Sequence, residues 1–316
     1  MKITVLDRNT VTNEDISFVA IEALGEVAYY DVLPPEGIPQ AIEDADAVIC
    51  NKANLSREII SSAKRLKYIG LFATGYNNID TEAAKERGIV VCNAPGYSTE
   101  AVAQLTFSMI LALAGSFCDY TASTRAGGWI KSDTFSYFPF PLTELKDKTL
   151  GIFGYGSIGR QVAKIGRAFN MNVIVYTRTP SKCTDAENVS MEELFSRSDY
   201  LTLHAPLTPE TAKIINRDTL ALMKKSAYLI NTSRGGAIDE TALADALNNG
   251  DIAGAGLDVL TVEPMLEDNP LRSAKNCLIT PHIAWAPVET RMRLIEIVAD
   301  NIKAFINGSP INVVNK

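Results

Sequence analysis

The chain of 316 residues is 47% hydrophobic and 21% charged, and it carries a formal net charge of −7 at pH 7 with a pI of about 5.1. This length predicts two domains, and this composition is typical of a globular protein. The acidic balance argues against nucleic acid or an anionic membrane as the main partner, because both require clustered positive charge.

The N-terminal residues, MKITVLD, enter a strand-like alternation directly, without the apolar region of a secretory signal. The most apolar long stretch, 101–115, contains polar residues and is shorter than the roughly 20 residues that span a membrane. The five cysteines are scattered, and no two of them form a C-x-x-C pair. We therefore expect reduced thiols, no metal site and a cytoplasmic protein.

At the start of the chain, short apolar runs alternate with stretches of helical spacing. The predicted strands are apolar, β-branched and bounded by Gly, Pro, Asp or Asn: KITVLD, EVAYYD, DAVIC, YIGLFA and IVVCN. The stretches SREIISSAKRL and TEAAKERG carry an N-cap residue at the start or a Gly at the end. This β-α-β series predicts a parallel sheet covered by helices.

The middle of the chain contains a helix candidate from about Thr99 to Leu113, followed by the aromatic stretch GGWIKSDTFSYFPFPLTEL. This stretch is too apolar for a free linker, so a buried loop or an oligomer contact is expected.

A second series of predicted strands begins at residue 149: TLGIFG, NVIVYT, DYLTLHAP, AYLINTS, IAGAGLDV and NCLITPH. Ligands of an open parallel sheet bind outside the carboxyl ends of its strands, where these runs place polar residues. The candidates by position alone are Thr177, His204, Thr232, Asp258 and His282. A last helix candidate, VETRMRLIEIVADNIKAFING, follows this series.

The stretch GIFGYGSIG, residues 151–159, has the G-x-G-x-x-G spacing of a dinucleotide-binding loop. An apolar strand precedes it, and helix-forming residues and a second strand follow it. In such a loop Gly154 permits the tight turn, Gly156 lets the backbone approach a pyrophosphate, and Gly159 lets helix and strand pack closely. The alternative is a Gly-rich turn without a ligand.

The end of the next predicted strand, VIVYTRTPSK, bears on the choice of dinucleotide. An NAD-binding fold usually places Asp or Glu there to bind the ribose hydroxyls. Here Thr177 takes that position, Arg178 and Thr179 follow, and Lys182 is close behind. The missing carboxylate and the guanidinium favour NADP(H), with NAD(H) left open, because a 2′-phosphate needs a positive partner. A solvated loop arginine is the alternative for Arg178.

The chain has only two histidines, His204 and His282, and both lie at the ends of predicted strands. Histidine is the natural proton donor at neutral pH, and a ketone that accepts a hydride needs a proton and a fixed cation. Arg234 offers that cation, and Glu263 offers a carboxylate that keeps a neighbouring histidine charged. Each also has a plain structural alternative: an ion pair for Arg234, a cap for Glu263 and a buried hydrogen bond for His282.

Five stretches, GIFGYGSIG, LHAPLTPET, LINTSRGGAIDETAL, GAGLDVLTVEP and TPHIAW, strongly resemble the D-isomer-specific 2-hydroxyacid dehydrogenases. The resemblance covers nearly the whole chain. It implies two Rossmann-like, doubly wound parallel-sheet α/β domains, with the cofactor domain inserted into the substrate domain. The flavodoxin-like substrate domain would comprise residues 1–97 and 286–316. The NAD(P)-binding Rossmann domain would comprise residues 98–285, including a dimerisation arm at about 116–145 of a homodimer.

This resemblance also implies roles for single residues. His282 would protonate the carbonyl oxygen, Glu263 would orient His282, and Arg234 would hold the substrate carboxylate and carbonyl. Asp258 would meet the nicotinamide carboxamide. The implied cofactor-binding residues are Gly154, Tyr155, Gly156, Ser157, Ile158, Gly159, Thr177, Arg178, Thr179, His204, Ala205, Pro206, Asn231, Thr232, Ser233 and Asp258. The implied substrate-binding residues are Lys52, Ala73, Thr74, Gly75, Arg234, His282 and Trp285.

The stretches NAPGYSTEAVAQLTFSMILAL and GGWIKSDTF, with Trp285 after HIA, resemble the glycerate dehydrogenase and hydroxypyruvate reductase branch. A phosphoglycerate dehydrogenase commonly carries Arg where this chain has Lys52. The resemblance implies reduction of small 2-keto acids to 2-hydroxy acids, namely hydroxypyruvate to D-glycerate and glyoxylate to glycolate. Trp285 would cover the substrate or simply pack. A D-lactate or other 2-ketoacid dehydrogenase and a dinucleotide-sensing regulatory protein are the alternatives.

Overall fold

The first part of the chain folds as the alternating pattern predicts. The computed structural model describes residues 1–316, apart from the side chain of Lys182. The strands of this part are β1 (Lys2–Val5), β2 (Glu26–Tyr29), β3 (Ala47–Cys50), β4 (Tyr68–Leu71) and β5 (Val90–Cys92). Its helices are α1 (Val19–Glu22), α2 (Ile38–Ile42), α3 (Arg57–Ser62) and α4 (Thr81–Glu86).

These strands form one parallel sheet in the order β2-β1-β3-β4-β5. Strands β3 and β4 are buried along their whole length, which explains their continuous apolar runs. Ser56 and Asp80 begin the helices that follow, since their side chains accept hydrogen bonds from Ile59 N and Ala83 N. All strands of a parallel sheet end at one edge, so the loops after β1, β3 and β4 are neighbours.

The second part begins with two helices, α5 (Thr99–Ala114) and α6 (Phe117–Arg125). Its strands are β6 (Thr149–Phe153), β7 (Asn172–Tyr176), β8 (Glu187–Asn188), β9 (Tyr200–Leu203), β10 (Tyr228–Asn231), β11 (Gly254–Leu257) and β12 (Cys277–Ile279). The helices between them are α7 (Ser157–Ala168), α8 (Met191–Arg197), α9 (Arg217–Leu222) and α10 (Glu240–Asn249). The last helix of the chain is α11 (Val288–Ile306).

The seven strands of the second part form a parallel sheet in the order β12-β11-β10-β9-β6-β7-β8. Helices α5 and α7 share one apolar core with the sheet, and α8, α9 and α10 share another. The chain runs outward from β6 in one direction and then returns to place β9 on the other side of β6. This reversal opens a crevice at the carboxyl ends of β6 and β9, where doubly wound sheets bind ligands.

The described residues divide into two compact units. Unit 1 comprises Met1–Ser98 and Trp285–Lys316, and unit 2 comprises Thr99–Ala284. Helix α11 belongs to unit 1, because Leu294, Val298 and Ile302 pack into the core around β1 and β4. These borders lie beside the predicted ones, at 97/98 and 285/286.

Three features differ from the sequence-based expectations or were not foreseen by them. Helix α6 and the two-residue strand β8 were not predicted. The aromatic stretch after α6 is not a buried loop, since Ile130 is 88% and Phe135 is 92% exposed.

Among the described residues no single helix is long and apolar enough to cross a membrane; α5 and α6 reach that length only together, with a bend of 58° between them.

Candidate active site

The glycine loop between β6 and α7 has the geometry of an anion-binding turn. Gly154 has a φ of +97°, and a Cβ there would lie 2.7 Å from Ala205 N, so only glycine fits against the end of β9. A Cβ on Gly159 would overlap the carbonyl oxygen of Gly154, so helix and strand pack closely. A Cβ on Gly156 would meet nothing within 4 Å.

Gly156 is also the N-cap of α7, and no side chain caps this helix end. The main-chain N–H groups of the first turn therefore face the open space beside Gly156. A helix N-terminus with a glycine approach is the site that proteins use for phosphate groups. These residues fit the pyrophosphate of a dinucleotide.

A cavity of about 750 Å³ lies in unit 2 next to this loop. Its volume suits a small molecule or part of a cofactor. Ten of the predicted cofactor-binding residues line it: Gly154, Tyr155, Gly156, Ser157, Thr177, Arg178, Thr179, His204, Ala205 and Pro206. Further lining residues were not predicted, among them Arg160 and Glu210. They follow GYGSIG and LTP in the chain and were foreseeable only from those neighbours.

Among the described residues, three charged side chains line this cavity: Arg160, Arg178 and Glu210. Arg178 is exposed and Glu210 shares the cavity with it. The pKa of Glu210 is lowered mainly by a hydrogen bond with Thr208, and Arg178 contributes at longer range. Arg160 is fixed differently, because it donates to Asp185 Oδ1 at 2.9 Å and its guanidinium lies 4.5 Å from the centre of the Tyr155 ring. The side chain of Lys182, the other predicted phosphate partner, lies outside the described residues.

The remaining predicted cofactor-binding residues do not line the cavity. Ile158 and Gly159 belong to the first turn of α7. Asn231 is fully buried at the end of β10, where Oδ1 accepts from Ser233 N at 2.9 Å and Nδ2 donates to Arg234 O at 2.9 Å. Thr232 hydrogen-bonds Thr106 through the two hydroxyls at 3.0 Å. Asn231, Thr232 and Ser233 thus build the turn that presents Arg234.

The structure brings two predicted catalytic residues into direct contact. His282 Nδ1 lies 2.7 Å from Glu263 Oε2, and Glu263 Oε1 accepts from Leu260 N at 3.0 Å. The side chains are 26% and 34% exposed, so the ring is both held and accessible. When Nδ1 donates to the carboxylate, Nε2 is the nitrogen left to exchange a proton with a ligand.

Asp258 holds His282 through a hydrogen bond between their main chains. The φ of His282, +56°, lies in the left-handed region, and its N–H donates to Asp258 O at 2.8 Å. The Asp258 carboxylate is 1% exposed and accepts from Thr280 Oγ1, Ile283 N and Ala284 N at 2.6, 2.8 and 2.8 Å. Its visible role is therefore to anchor the turn around His282. Its contact with a nicotinamide stays a prediction.

Arg234 follows β10. Strand β10 lies next to β11, the strand that precedes Glu263. Its side chain is exposed, and Nη1 donates to Ser233 O at 2.7 Å. A Cβ on Gly235 would overlap the Leu260 carbonyl group, so the turn after β10 lies directly against the turn that begins with Leu260. Three adjacent strands, β10, β11 and β12, thus end in turns that carry the predicted catalytic residues.

His204, the other histidine, is suited to a different role. Its Nε2 is buried and has no hydrogen-bond partner among the described residues. Burial lowers the pKa of His204 to about 3, so the ring is neutral at physiological pH. A neutral ring that lines the cavity can contact a cofactor, but it lacks the imidazolium proton that a general acid donates.

The predicted substrate-binding residues outside unit 2 lie in unit 1. Lys52 is exposed in the turn after β3, and residues 73–75 follow β4. Thr74 Oγ1 donates to Ala94 O at 2.9 Å, and Thr74 O accepts from Asn93 Nδ2 at 2.7 Å, so this loop is tied to the end of β5. Trp285 is half-buried and packs against the core of unit 1.

Among the described residues, no cluster of His, Cys, Asp or Glu side chains is arranged to hold a metal ion.

Comparison with known proteins agrees with this geometry. Residues 107–284 match the family model of the D-isomer specific 2-hydroxyacid dehydrogenase NAD binding domain. The chain is 42% identical to the hydroxypyruvate reductase of Blautia hydrogenotrophica over 100% of both chains. It is also 42% identical to the glyoxylate reductase of Thermococcus litoralis, over 90% of this chain and 88% of that one.

A solved structure extends the likeness to three dimensions. An acyclic imino acid reductase in complex with NADPH and D-Arg is 33% identical, with a TM-score of 0.89 over 99% of this chain and 100% of that one. The matched family model spans the glycine loop, the cavity and the three turns that carry the predicted catalytic residues. The chain therefore belongs to the D-isomer-specific 2-hydroxyacid dehydrogenase family, in its glycerate dehydrogenase and hydroxypyruvate reductase branch, and is a nicotinamide-dinucleotide-binding oxidoreductase that acts on the CH–OH group of donors.

Proposed function

We propose that the chain reduces hydroxypyruvate to D-glycerate and glyoxylate to glycolate. The observation that carries this proposal is the 2.7 Å contact between His282 Nδ1 and Glu263 Oε2 at the carboxyl edge of a dinucleotide-binding sheet. Relatives named hydroxypyruvate reductase and glyoxylate reductase, both 42% identical, support the choice of substrates. The same contact would serve a D-lactate or other 2-ketoacid dehydrogenase, so the choice of substrate rests on these relatives.

In this proposal Glu263, His282 and Arg234 each have a separate role in the reduction of the carbonyl group. Glu263 accepts a hydrogen bond from Nδ1, fixes the ring and places a negative charge beside it. A reduced nicotinamide, when bound, would supply the hydride for the carbonyl carbon. His282 gives its Nε2 proton to the carbonyl oxygen, so that C=O becomes CH–OH. Arg234 binds the substrate carboxylate and stabilises the charge that develops on the oxygen.

Unit 1 is then the substrate domain and unit 2 the cofactor domain. The exposed Lys52 and the main-chain N–H groups of residues 73–75 would bind the substrate carboxylate. Both groups follow neighbouring strands of one parallel sheet, whose carboxyl ends share an edge. The half-buried Trp285 would cover a small polar substrate while it packs on the core of unit 1.

NADP(H) is the proposed cofactor. The exposed guanidinium of Arg178 and the hydroxyls of Thr177 and Thr179 line the cavity, and together they suit a 2′-phosphate. Glu210 is the carboxylate in the same cavity that opposes this preference, so NAD(H) is expected to bind as well.

A turnover assay tests the proposed reaction. Purified protein is mixed with NADPH or NADH and with hydroxypyruvate, glyoxylate, pyruvate or 3-phosphohydroxypyruvate, and the absorbance of the reduced cofactor is followed. We expect the highest kcat/KM with hydroxypyruvate or glyoxylate. A preference for pyruvate would favour the D-lactate alternative, and no turnover with any acid would leave the regulatory alternative.

The Arg178→Asp variant tests the cofactor preference. A carboxylate repels the 2′-phosphate and accepts from ribose hydroxyls, so the NADPH/NADH ratio of kcat/KM should fall by about tenfold to hundredfold. Arg272→Asp, an exposed arginine that does not line the cavity, is the matched control. An unchanged ratio in Arg178→Asp would show that this guanidinium does not bind the phosphate.

Two glycine variants test the dinucleotide loop itself. Gly156→Ala adds a methyl group to open space, so it should keep the free energy of unfolding and weaken NADPH binding by about tenfold, because the pyrophosphate approaches there. Gly154→Ala should also lower the free energy of unfolding by about 1–3 kcal/mol, because its φ is positive and its Cβ meets the backbone after β9. Fluorescence titration and denaturant unfolding measure both effects.

We also propose a homodimer formed through residues 116–145. The exposed apolar side chains of this segment are Phe117, Trp129, Ile130, Phe135, Phe138 and Leu142. Light scattering of wild type should give twice the monomer mass, and Ile130→Asp combined with Phe135→Asp should give a monomer. Val32→Asp, on an exposed apolar residue of unit 1, is the control.

The five unpaired cysteines support the further proposal of a cytoplasmic location.

A further inference from the structure

Asp7, which follows β1 after Leu6, is a buried carboxylate that binds the main chain of another loop. It is 2% exposed. It accepts from Asn51 N at 2.8 Å, Lys52 N at 2.6 Å and Ala53 N at 2.9 Å. Three successive N–H groups that point at one anion form a nest, and charge-assisted hydrogen bonds of this kind are the stronger ones. Asp7 therefore fixes the main chain of the turn that carries Lys52.

Asn78 holds the same turn through its carbonyl groups. Its Nδ2 donates to Ala53 O at 2.7 Å and to Asn51 O at 3.4 Å, and its main-chain oxygen accepts from Leu55 N at 2.9 Å. Asn78 lies in the loop that begins with residues 73–75. The N–H groups of the turn at 51–53 thus bind Asp7, and its carbonyls bind the second predicted substrate loop.

A lysine side chain has four rotatable carbon–carbon bonds, so the place where its amine can reach depends on where its Cα is fixed. The hydrogen bonds to Asp7 and Asn78 fix that Cα relative to residues 73–75. Such pre-organisation reduces the ordering cost of binding a small anion between two loops.

We propose that Asp7 and Asn78 are positioning residues for the substrate: they hold the turn at 51–53 so that Lys52 and residues 73–75 form one carboxylate-binding set. This inference rests on the proposed function, in which these two loops bind the substrate carboxylate. Neither Asp7 nor Asn78 contacts the reacting atoms in this scheme. Their effect on turnover passes through the turn at 51–53.

The same sheet provides a matched control at its opposite edge. Asp46, directly before β3, also accepts a main-chain hydrogen bond, from Lys2 N at 2.9 Å, and it pairs with Arg65 at 2.9 Å. It stabilises the fold by the same chemistry but lies at the amino ends of the strands. An Asp46→Asn variant therefore reports the cost of losing such a carboxylate without disturbing the predicted substrate loops.

The experiment measures KM and kcat for the wild type's best 2-keto acid in Asp7→Asn, Asn78→Ala and Asp46→Asn. The amide in Asp7→Asn has the carboxylate's shape but only one acceptor oxygen. We expect Asp7→Asn to raise KM by up to about tenfold, with kcat within about threefold of wild type. The Kd for NADPH should not change, because its cavity lies in unit 2. Asp46→Asn should keep both constants.

A double-mutant cycle with Lys52→Met separates positioning from a general loss of structure. If Asp7 acts through the turn that carries Lys52, adding Asp7→Asn to Lys52→Met should raise KM little further. Independent multiplication of the two effects would overturn the proposal. A folded Asp7→Asn variant with KM within about twofold of wild type would overturn it as well.

Two outcomes keep this proposal distinct from the proposed function. If wild type turns over no 2-keto acid, the proposed function itself fails, whereas normal wild-type turnover with unaffected variants overturns only the positioning role. If Asp7→Asn does not fold by circular dichroism, Asn78→Ala decides, because it leaves the buried carboxylate intact. A raised KM in that variant supports the proposal, and an unchanged KM overturns it.

Discussion

At the carboxyl edge of each sheet, an aspartate after one strand accepts main-chain hydrogen bonds from the turn after the neighbouring strand. In unit 2, Asp258 follows β11 and accepts hydrogen bonds from Ile283 N and Ala284 N, in the turn after the neighbouring strand β12. In unit 1, Asp7 follows β1 and accepts from the turn after the neighbouring strand β3. Both carboxylates are buried, and each fixes a turn that carries a predicted functional side chain.

The two edges differ in what holds that side chain. The ring of His282 has a further partner in Glu263, which sets its orientation as well as its position. Lys52 is fixed at its main chain, while its side chain is exposed. A proton donor must be aligned with the reacting oxygen, whereas a cation that binds a carboxylate needs only to be near it. The contrast predicts effects on kcat in unit 2 and on KM in unit 1.

The largest effect is expected for His282→Ala. Loss of a general acid should lower kcat by a factor of about 100 to 10,000, while the Kd for NADPH stays near that of wild type. Steady-state kinetics and fluorescence titration measure the two quantities. If kcat stays within about tenfold and only KM rises, both edges serve binding and the contrast between them is wrong.

Asp258→Asn should lower kcat by about tenfold to hundredfold, because a displaced turn misaligns the His282 ring by a fraction of an ångström or more. The matched control is Thr280→Val, which removes one of the hydrogen bonds to Asp258 and leaves the two main-chain bonds in place. A loss in the control as large as in Asp258→Asn would argue against main-chain anchoring.

Lys52→Met should raise KM for the 2-keto acid by about tenfold and leave kcat within about threefold, because it removes a charge that contacts substrate in ground and transition states alike. Lys64→Met, on an exposed lysine of the same unit, should leave both constants unchanged. A fall in kcat with unchanged KM would place Lys52 among the residues of the chemical step.

The smallest effect separates the two histidines of unit 2. Burial lowers the pKa of His204 to about 3, below its ordinary value of 6.5, so between these pH values the unfolded state binds a proton that the folded state does not. The wild type should therefore lose stability as pH falls from 6.5 towards 3. His204→Leu should show a shallower loss in urea unfolding without cofactor. An identical pH dependence would contradict the buried, neutral ring.

The strands that position both edges were predictable because their residues are apolar and β-branched. Strand β8 was not, since it has two exposed polar residues at the edge of the sheet. Helix α6 was not, because FCDYTASTR buries no residue and so lacks the apolar stripe that reveals a helix. Pattern reasoning depends on burial, and elements that bury little escape it.

Glu263 was expected to orient His282, and the two side chains are in contact. Their distance of 2.7 Å needed the structure, because 19 residues separate them in the sequence. Asp7 gave no signal at all, since a single Asp after a strand is common and its partners begin 44 residues later. Asn231 is predicted to line the cofactor site, and the structure adds that its amide forms hydrogen bonds within its own turn. Motifs thus identify what a site contains, whereas the hydrogen-bond partners of buried polar groups depend on the fold.

The tail after α11 decides when unit 1 can be completed. Val313 pairs antiparallel with Cys92 of β5, and Val91 N donates to Asn315 Oδ1, across a separation of 224 residues. During synthesis every residue of unit 2 therefore emerges before β5 gains this partner. Until then the edge of β5 offers unpaired N–H and C=O groups, through which the newly made protein can pair with other chains.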